Sequence, residues 1–431
     1  AEPPIEGNAA SVATAHTIRT RWQENFEALT PLVGNVIDSD EFDRVVDLAE
    51  RYLAGRSALF AKRITQGWVR DGHGDLRAEH VYCLDDGPRV IDCLAFRSDF
   101  RISDILNDVA FLAMDLHRLF GPRAAAALMM YYHEFTNEHH QATLAHHYVA
   151  YRAHVRAKIA AIRLAQGDSG AAEEARQYHH LALQHLEVGR VRLVLVGGRI
   201  GVGKSAVAEG LAQRLGATWL RTDEIRKSTV PVTSTTTDGD GPAEPADEPD
   251  YGRQARDDVY HEMLREARAL LTHGETVVVD ATWSSDRRRA WAREIAFQSE
   301  AELIELQVDA SLEQAVERIT RRGERGDDPS DATPELARRF HDQFAPWSEA
   351  VVVDNSGSLE AAVDQACDAV LGRRNGQLNG TLTPQGLEQL FTGAGARSVA
   401  LVGGAEVLSY ETIRFYLQRA THLVPPPDAP A

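Results

Sequence analysis

Cysteine is scarce in this chain: Cys83, Cys93 and Cys367 are the only three in 431 residues. So few thiols exclude a disulfide framework, and even Cys83 and Cys93, which flank the turn-forming Asp85-Asp86-Gly87, read as reduced. Long apolar runs are also missing. No stretch approaches the roughly 20 apolar residues that span a bilayer, and there is no apolar signal segment at the start, so a soluble, cytoplasmic chain without a membrane partner is expected. Positive charge is in deficit, with 46 Lys and Arg against 64 Asp and Glu and a formal net charge of −18. That balance argues against a general nucleic-acid or anionic-membrane surface, both of which need basic patches, but it leaves room for a local basic pocket. The length suffices for two or three domains, each with its own core.

Residues 198–205, Gly-Arg-Ile-Gly-Val-Gly-Lys-Ser, follow the apolar run Val191, Leu193, Val194, Leu195 and Val196 and precede a helix-compatible stretch from Ala206 to Leu215. Strand, glycine-rich loop and helix in that order make a P-loop. Small residues let the backbone wrap a polyphosphate, while the amides of the loop and of the helix N-terminus point at the anion. The candidate ATP-binding residues are therefore Gly198, Gly201, Val202, Gly203, Lys204, Ser205 and Ala206, with Lys204 reaching the β- and γ-phosphates and Ser205 ligating Mg²⁺.

Downstream, strand and helix patterns alternate over 191–197, 204–215, 217–222, 253–272, 276–280, 286–298, 302–308, 311–322, 334–342, 350–353 and 358–371. Such alternation predicts a parallel sheet covered by helices on both faces. Upstream, apolar spacing predicts helices over 11–68 and again from Ile105 to His185, with a hairpin between, at 79–95, turning at Asp86-Gly87. The fold class is α/β, a P-loop domain behind a mostly helical one. Residues 229–251 read as an aperiodic surface insertion, 374–380 as a linker, and 387–420 as a short strand from Ser398 to Val402 between two helices.

Nucleotide binding becomes chemistry through what faces the γ-phosphate. Thr222-Asp223-Glu224-Ile225-Arg226 ends the second strand, which suits Asp223 to orient or deprotonate an acceptor hydroxyl and Arg226 to hold its anionic part; an N-capping Asp223 with a solvated Arg226 is the alternative. Val277-Val278-Val279-Asp280 has the form of a Walker B strand, with Asp280 binding Mg²⁺ or else capping the next helix. Arg318, Arg321, Arg322 and Arg325 around a Gly-Glu-Arg-Gly break suit a lid that closes on phosphates, or a solvated helix end.

Together these features resemble the small P-loop kinases that include gluconate, shikimate and polynucleotide kinases, over roughly 190–372. The resemblance implies a nucleoside-monophosphate-kinase-like fold with AAA-type ATP binding, an acceptor near Asp223 and Arg226, and a lid carrying Arg322 and Arg325. It also puts Val353-Asp354-Asn355-Ser356 where such kinases contact adenine.

A second kinase-like signature lies upstream. His73-Gly74-Asp75-Leu76-Arg77-Ala78-Glu79-His80, followed by Val90-Ile91-Asp92, has the spacing of a kinase catalytic loop and its metal-binding Asp, so Asp75 is a candidate catalytic residue and His80 and Asp92 are candidate metal ligands. The stretch resembles aminoglycoside phosphotransferases. With Arg101, Asp104, Asp108 and the run from Ala110 to Leu116, it is similar to a bacterial family in which such a domain is fused to a P-loop kinase. His80 stands where those enzymes have Asn, and their nucleotide-holding amino-terminal lobe has no counterpart in residues 1–72. The expected domains are 1–188, phosphotransferase-like without that lobe; 189–373, the P-loop kinase; and 374–431, linker and appendage.

His133, His140, His147 and His154 recur every seven residues. Seven residues of helix rise about 10 Å, too far for one metal ion, and no pair has the i, i+4 spacing of helical zinc ligands, so these side chains read as a helical face that packs or meets solvent, with a metal site or a pH-sensitive face as the alternative. Tyr131, Tyr132, Phe135, Tyr148 and Tyr151 read as core. The function expected is phosphoryl transfer from MgATP to a small hydroxylated acceptor. A nucleotide-dependent switch and a polynucleotide 5′-hydroxyl kinase are the rivals.

Overall fold

A computed structural model of the chain describes residues 11–84, 86–95, 98–222, 224–225, 250–325, 333–340, 344, 347–372, 398–401 and 406–409. The chain divides into two compact units, residues 1–190 with 380–431, and residues 191–379.

The first unit is largely helical: α1 (Ala15–Leu29), α2 (Ser39–Gly55), α3 (Ser57–Thr65), α4 (Ser98–Arg101), α5 (Ile105–Phe120), α6 (Pro122–Thr136), α7 (Ala142–Ala165) and α8 (Ala171–Val188). Local chemistry sets the boundaries. Thr14 accepts a hydrogen bond from the Thr17 amide at the start of α1, and Asp38 and Asp104 do the same for α2 and α5. Pro122, with no amide hydrogen to satisfy, opens α6. Alanines let helices approach closely where Ala160 meets Ala171 and Ala175. Trp22, Leu53, Leu106, Met114, Leu144 and Tyr148 are buried, and so are His147 and His154 of α7, whereas His133 is exposed near the end of α6 and His140 lies between the two helices, so the heptad-spaced histidines do not form one helical face. Tyr131, Tyr132 and Tyr151 are core as expected, while Phe135 is half-buried.

Two small antiparallel pairs interrupt the helices. β2 (Val81–Leu84) and β3 (Gly87–Val90) form the expected hairpin, with Val81 opposite Val90. β1 (Val69–Asp71) pairs with β4 (Ile102–Asp104), a contact too short to show as alternation in the sequence.

The second unit carries β5 (Arg192–Gly198), α9 (Lys204–Leu215), β6 (Thr218–Arg221), α10 (Asp250–Thr272), β7 (Val277–Asp280), α11 (Asp286–Gln298), β8 (Glu302–Asp309), α12 (Leu312–Arg325), α13 (Pro334–Phe340), β9 (Val351–Asp354) and α14 (Leu359–Leu371). Its five strands are all parallel, in the order β6-β7-β5-β8-β9. Val194 and Val196 of the central strand pack with Val207, Leu211, Val363 and Val370, which puts α9 and α14 on one face. By the two-residue period of a strand, Leu193 and Leu195 face the other side, and both are fully buried. The sheet is therefore hydrophobic on both faces, as the run of valines and leucines required. The carboxyl end of β5 lies at the centre of the sheet, the usual place for a ligand crevice in such folds.

A further antiparallel pair joins β10 (Ser398–Leu401) to β11 (Glu406–Ser409). The strand was expected and its partner was not. The helices expected around it, the 374–380 linker and most of the 229–251 insertion lie outside the described residues.

Candidate functional site

The loop after β5 takes its shape from glycine. Gly198, Gly201 and Gly203 have φ of +145°, +83° and +89°, a region that side chains rarely tolerate. Space is as restrictive as φ. A Cβ would lie 2.3 Å from the Val308 carbonyl oxygen at Gly198, 2.8 Å from that of Ala315 at Gly201, and 2.5 Å from Asn355 Nδ2 at Gly203. The loop is thus pressed against the end of β8, helix α12 and the turn after β9.

Two side chains fasten it there. Asn355 Nδ2 donates to the Val202 carbonyl at 2.8 Å, and Arg318 Nη1 donates to the same oxygen at 2.9 Å. Arg318 Nη2 also donates to the Asn355 carbonyl at 2.6 Å, and the Asn355 amide to Asp309 O at 2.8 Å. A loop meant for anions must not present carbonyls to its ligand, and here the protein consumes the Val202 oxygen. Lys204 and Ser205 then open α9, half-buried, with Ala206 exposed. These features fit a polyphosphate.

The floor of the loop is aromatic. A Cβ on Gly197 would meet the Trp347 ring at 2.4 Å and Trp283 Cβ at 3.0 Å. Trp283, fully buried with φ +51°, donates its ring N–H to Val279 O at 3.2 Å, and Trp347 donates to Glu305 Oε2 at 2.7 Å. Beside the loop, Asp280 ends β7 in register with Val196, 4% exposed, with Arg221 Nε 3.9 Å from its carboxylate. The next turn is joined to the loop by a bond from the Gly198 amide to Thr282 O at 3.2 Å.

Of the other candidates, Asp223 and Arg226 lie outside the described residues. Arg322 and Arg325 fall in the last turn of α12, with their side chains also outside. Arg318 is a brace of the loop rather than a lid cation, and Arg321 pairs with Glu317 at 2.5 Å on the surface. Asn355, expected at the adenine, turns its side chain to Val202 instead. Arg318 and Asn355 are the residues that the sequence reading passed over in these roles.

In the first unit, the loop at 72–80 is fixed by buried polar groups. Asp108 accepts from the amides of His73 at 2.5 Å and Gly74 at 2.9 Å; its carboxyl is pushed up by burial, which the nearby Arg152 opposes. Arg152 donates to Gly74 O at 3.1 Å, and the Ala78 amide to Asp115 at 3.0 Å. A Cβ on Gly72 would strike the Asp108 carboxylate at 2.1 Å. Asp75 takes a forked ion pair from Arg77, with contacts of 3.0–3.1 Å. His80 Nε2 lies 3.1 Å from Arg77 Nη2 and 3.5 Å from Asp92, which is exposed with φ +63°. Among the described residues, no group of three or more His, Cys, Asp or Glu side chains is arranged to hold a metal ion, and none of the helices is long and apolar enough to cross a membrane.

Residues 193–347 match the family model of the AAA domain. The uncharacterized protein Rv2004c of Mycobacterium tuberculosis is 35% identical over 349 residues, covering 81% of this chain and 69% of that protein, and the uncharacterized protein Mb2027c of Mycobacterium bovis gives the same figures. Among solved structures, a sugar kinase from a Janibacter species aligns at 15% identity over 42% of this chain and 94% of its own, with a TM-score of 0.30. A gluconokinase from Sinorhizobium meliloti 1021 aligns at 16% over 48% and 98%, with a TM-score of 0.29. The chain belongs to the family of the two mycobacterial proteins and carries in its second unit a P-loop domain of the AAA description.

Proposed function

We propose that the chain is an ATP-dependent phosphotransferase acting on a small hydroxylated acceptor. The observation that carries this reading is the glycine loop at 198–203, closed by Arg318 and Asn355 and leading straight into Lys204 and Ser205 at the N-terminus of α9. In this account Lys204 neutralises the β- and γ-phosphates, and Ser205 and Asp280 are the residues that would hold a Mg²⁺, which would supply positive charge against the phosphates. Asp223 orients the acceptor hydroxyl and takes its proton, Arg226 grips an anionic part of the acceptor, and Arg322 and Arg325 draw negative charge from the transferring group.

We further assign residues 1–188 to an aminoglycoside-phosphotransferase-like module, 189–373 to the kinase and 374–431 to a linker and appendage. The test is ATP consumption in Mg²⁺ with a pool of small polyols, sugars and amino alcohols, comparing the intact chain with Asp223→Asn. A stimulated turnover that Asp223→Asn removes supports the kinase. One observation favours a second reading: Arg318 ties the loop to the helix that ends in Arg322 and Arg325, so filling the loop would be felt along that helix. Tight ATP binding with no acceptor-stimulated turnover would make the domain a nucleotide-dependent switch.

A further inference from the structure

We propose that the Arg77 guanidinium stands in for a divalent cation in the first unit, so that the loop at 73–80 is a metal-free counterpart of a kinase catalytic loop. A loop of that kind would offer Mg²⁺ the side chains of His80 and Asp92, beside the candidate catalytic Asp75. Here the groups gather around an arginine instead. Arg77 forks onto Asp75 through Nε and Nη2 at 3.0–3.1 Å, reaches Glu79 through Nη1, and places Nη2 3.1 Å from His80 Nε2. Asp92 completes the ring of groups 3.5 Å from the same His80 nitrogen.

The imidazole shows why a metal ion has no place. His80 Nδ1 lies 2.8 Å from the Asp75 carbonyl oxygen, which can only accept, so Nδ1 carries the proton. Nε2 is then the ring's one lone pair, and it accepts from Arg77. The nitrogen a metal would need is spent, and a guanidinium that cannot lose its charge occupies the approach to it. His80 is buried and the Arg77 side chain is 17% exposed, so this is a built contact rather than a surface pairing. The bonds from the His73, Gly74 and Ala78 amides to Asp108 and Asp115 hold the flanking backbone, which keeps Arg77 aimed inward. The residues present therefore do not fit Mg²⁺, and no phosphoryl transfer is assigned to this loop. The inference does not depend on phosphotransfer at the P-loop.

The test is Mn²⁺ binding to the full chain without nucleotide, read by electron paramagnetic resonance, for wild type, Asp75→Asn, Arg77→Gln, Arg77→Lys and Arg77→Gln with Asp75→Asn. Removing the resident charge should open a site: Arg77→Gln is expected to bind one more Mn²⁺ than wild type, which should show no Asp75-dependent binding. Arg77→Lys and the double variant should match wild type. A wild-type Mn²⁺ site that Asp75→Asn removes would overturn the proposal, and so would a folded Arg77→Gln that gains none. If Arg77→Gln loses its cooperative melt, Mn²⁺ should restore it; failure to restore it would also overturn the proposal.

Discussion

Acid should unfold the first unit before the second. Burial holds six imidazoles of the first unit below the ordinary histidine range: His140 and His147 near 3, His179 near 4, His154 and His185 well below, and His117 also lowered. His185 contacts His117 at 2.8 Å and His146 at 2.9 Å, so a proton there would also meet two neighbouring rings. The folded state keeps these rings neutral, whereas the unfolded chain protonates them below about pH 6.5. The unfolded state therefore binds more protons, and stability, full above pH 6.5, falls as pH drops toward the folded values near 3 and 4. At about pH 5 each of His140, His147 and His179 costs about 2 kcal/mol, so these three alone approach about 6 kcal/mol, a large part of the stability of a typical domain. Asp108 and Glu138, whose carboxyls burial raises, work in the opposite sense and offset part of the loss. His261 and His273 of the second unit are not buried in this way. Hydrogen exchange by mass spectrometry from about pH 7.5 to about pH 5, corrected for intrinsic rates, reads both units in one sample. Peptides from α7 and α8 should lose protection at about 1.4 kcal/mol per pH unit for each histidine, while those from β5 and β7 hold, and His147→Gln should flatten the slope by one proton. Protection of α7 and α8 unchanged at pH 5, or a slope indifferent to His147→Gln, would refute the reasoning.

At the P-loop, Gly203→Ala puts a Cβ against Asn355 Nδ2 at a φ of +89°, and nucleotide titration should show ATP affinity reduced at least tenfold. Asn355→Ala frees the buried Val202 carbonyl of one partner, which should cost about 1–3 kcal/mol in denaturant melts and weaken ATP binding, with Arg318→Ala acting alike. Because these two share one acceptor, the double variant should fall short of the sum of the singles. Gly72→Ala drives a methyl into the Asp108 carboxylate and should lower the stability of the first unit by about 1–3 kcal/mol, visible as lost protection in α5, with ATP binding retained.

The parallel sheet was legible because valine and leucine runs buried on both faces alternate with amphipathic helices, and the strands begin and end within a residue or two of the expected places. Gly198, Gly201 and Gly203 were legible as a phosphate loop because their spacing encodes backbone geometry directly. The braces were not: Arg318 and Asn355 bond Val202 from 116 and 153 residues away, and no local pattern records such a bond. Four arginines read alike as lid cations in the sequence, yet helical phase turns Arg318 inward and Arg321 to solvent. In the first unit, His-Gly-Asp spacing suggested a metal loop, while the bond from Arg77 back to Asp75 depends on a rotamer that spacing cannot express.

The central claim, that a nucleotide held on the P-loop gives up its γ-phosphoryl group to a small acceptor, rests most directly on Lys204. The decisive measurement is ATP turnover in Mg²⁺ with and without pooled small hydroxylated compounds, for the intact chain and for Lys204→Ala. The account predicts turnover stimulated by the pool in the intact chain and lowered at least a hundredfold by Lys204→Ala, with a phosphorylated acceptor recoverable from the pool. Turnover that survives Lys204→Ala, or an intact chain that binds ATP yet phosphorylates nothing, would contradict it.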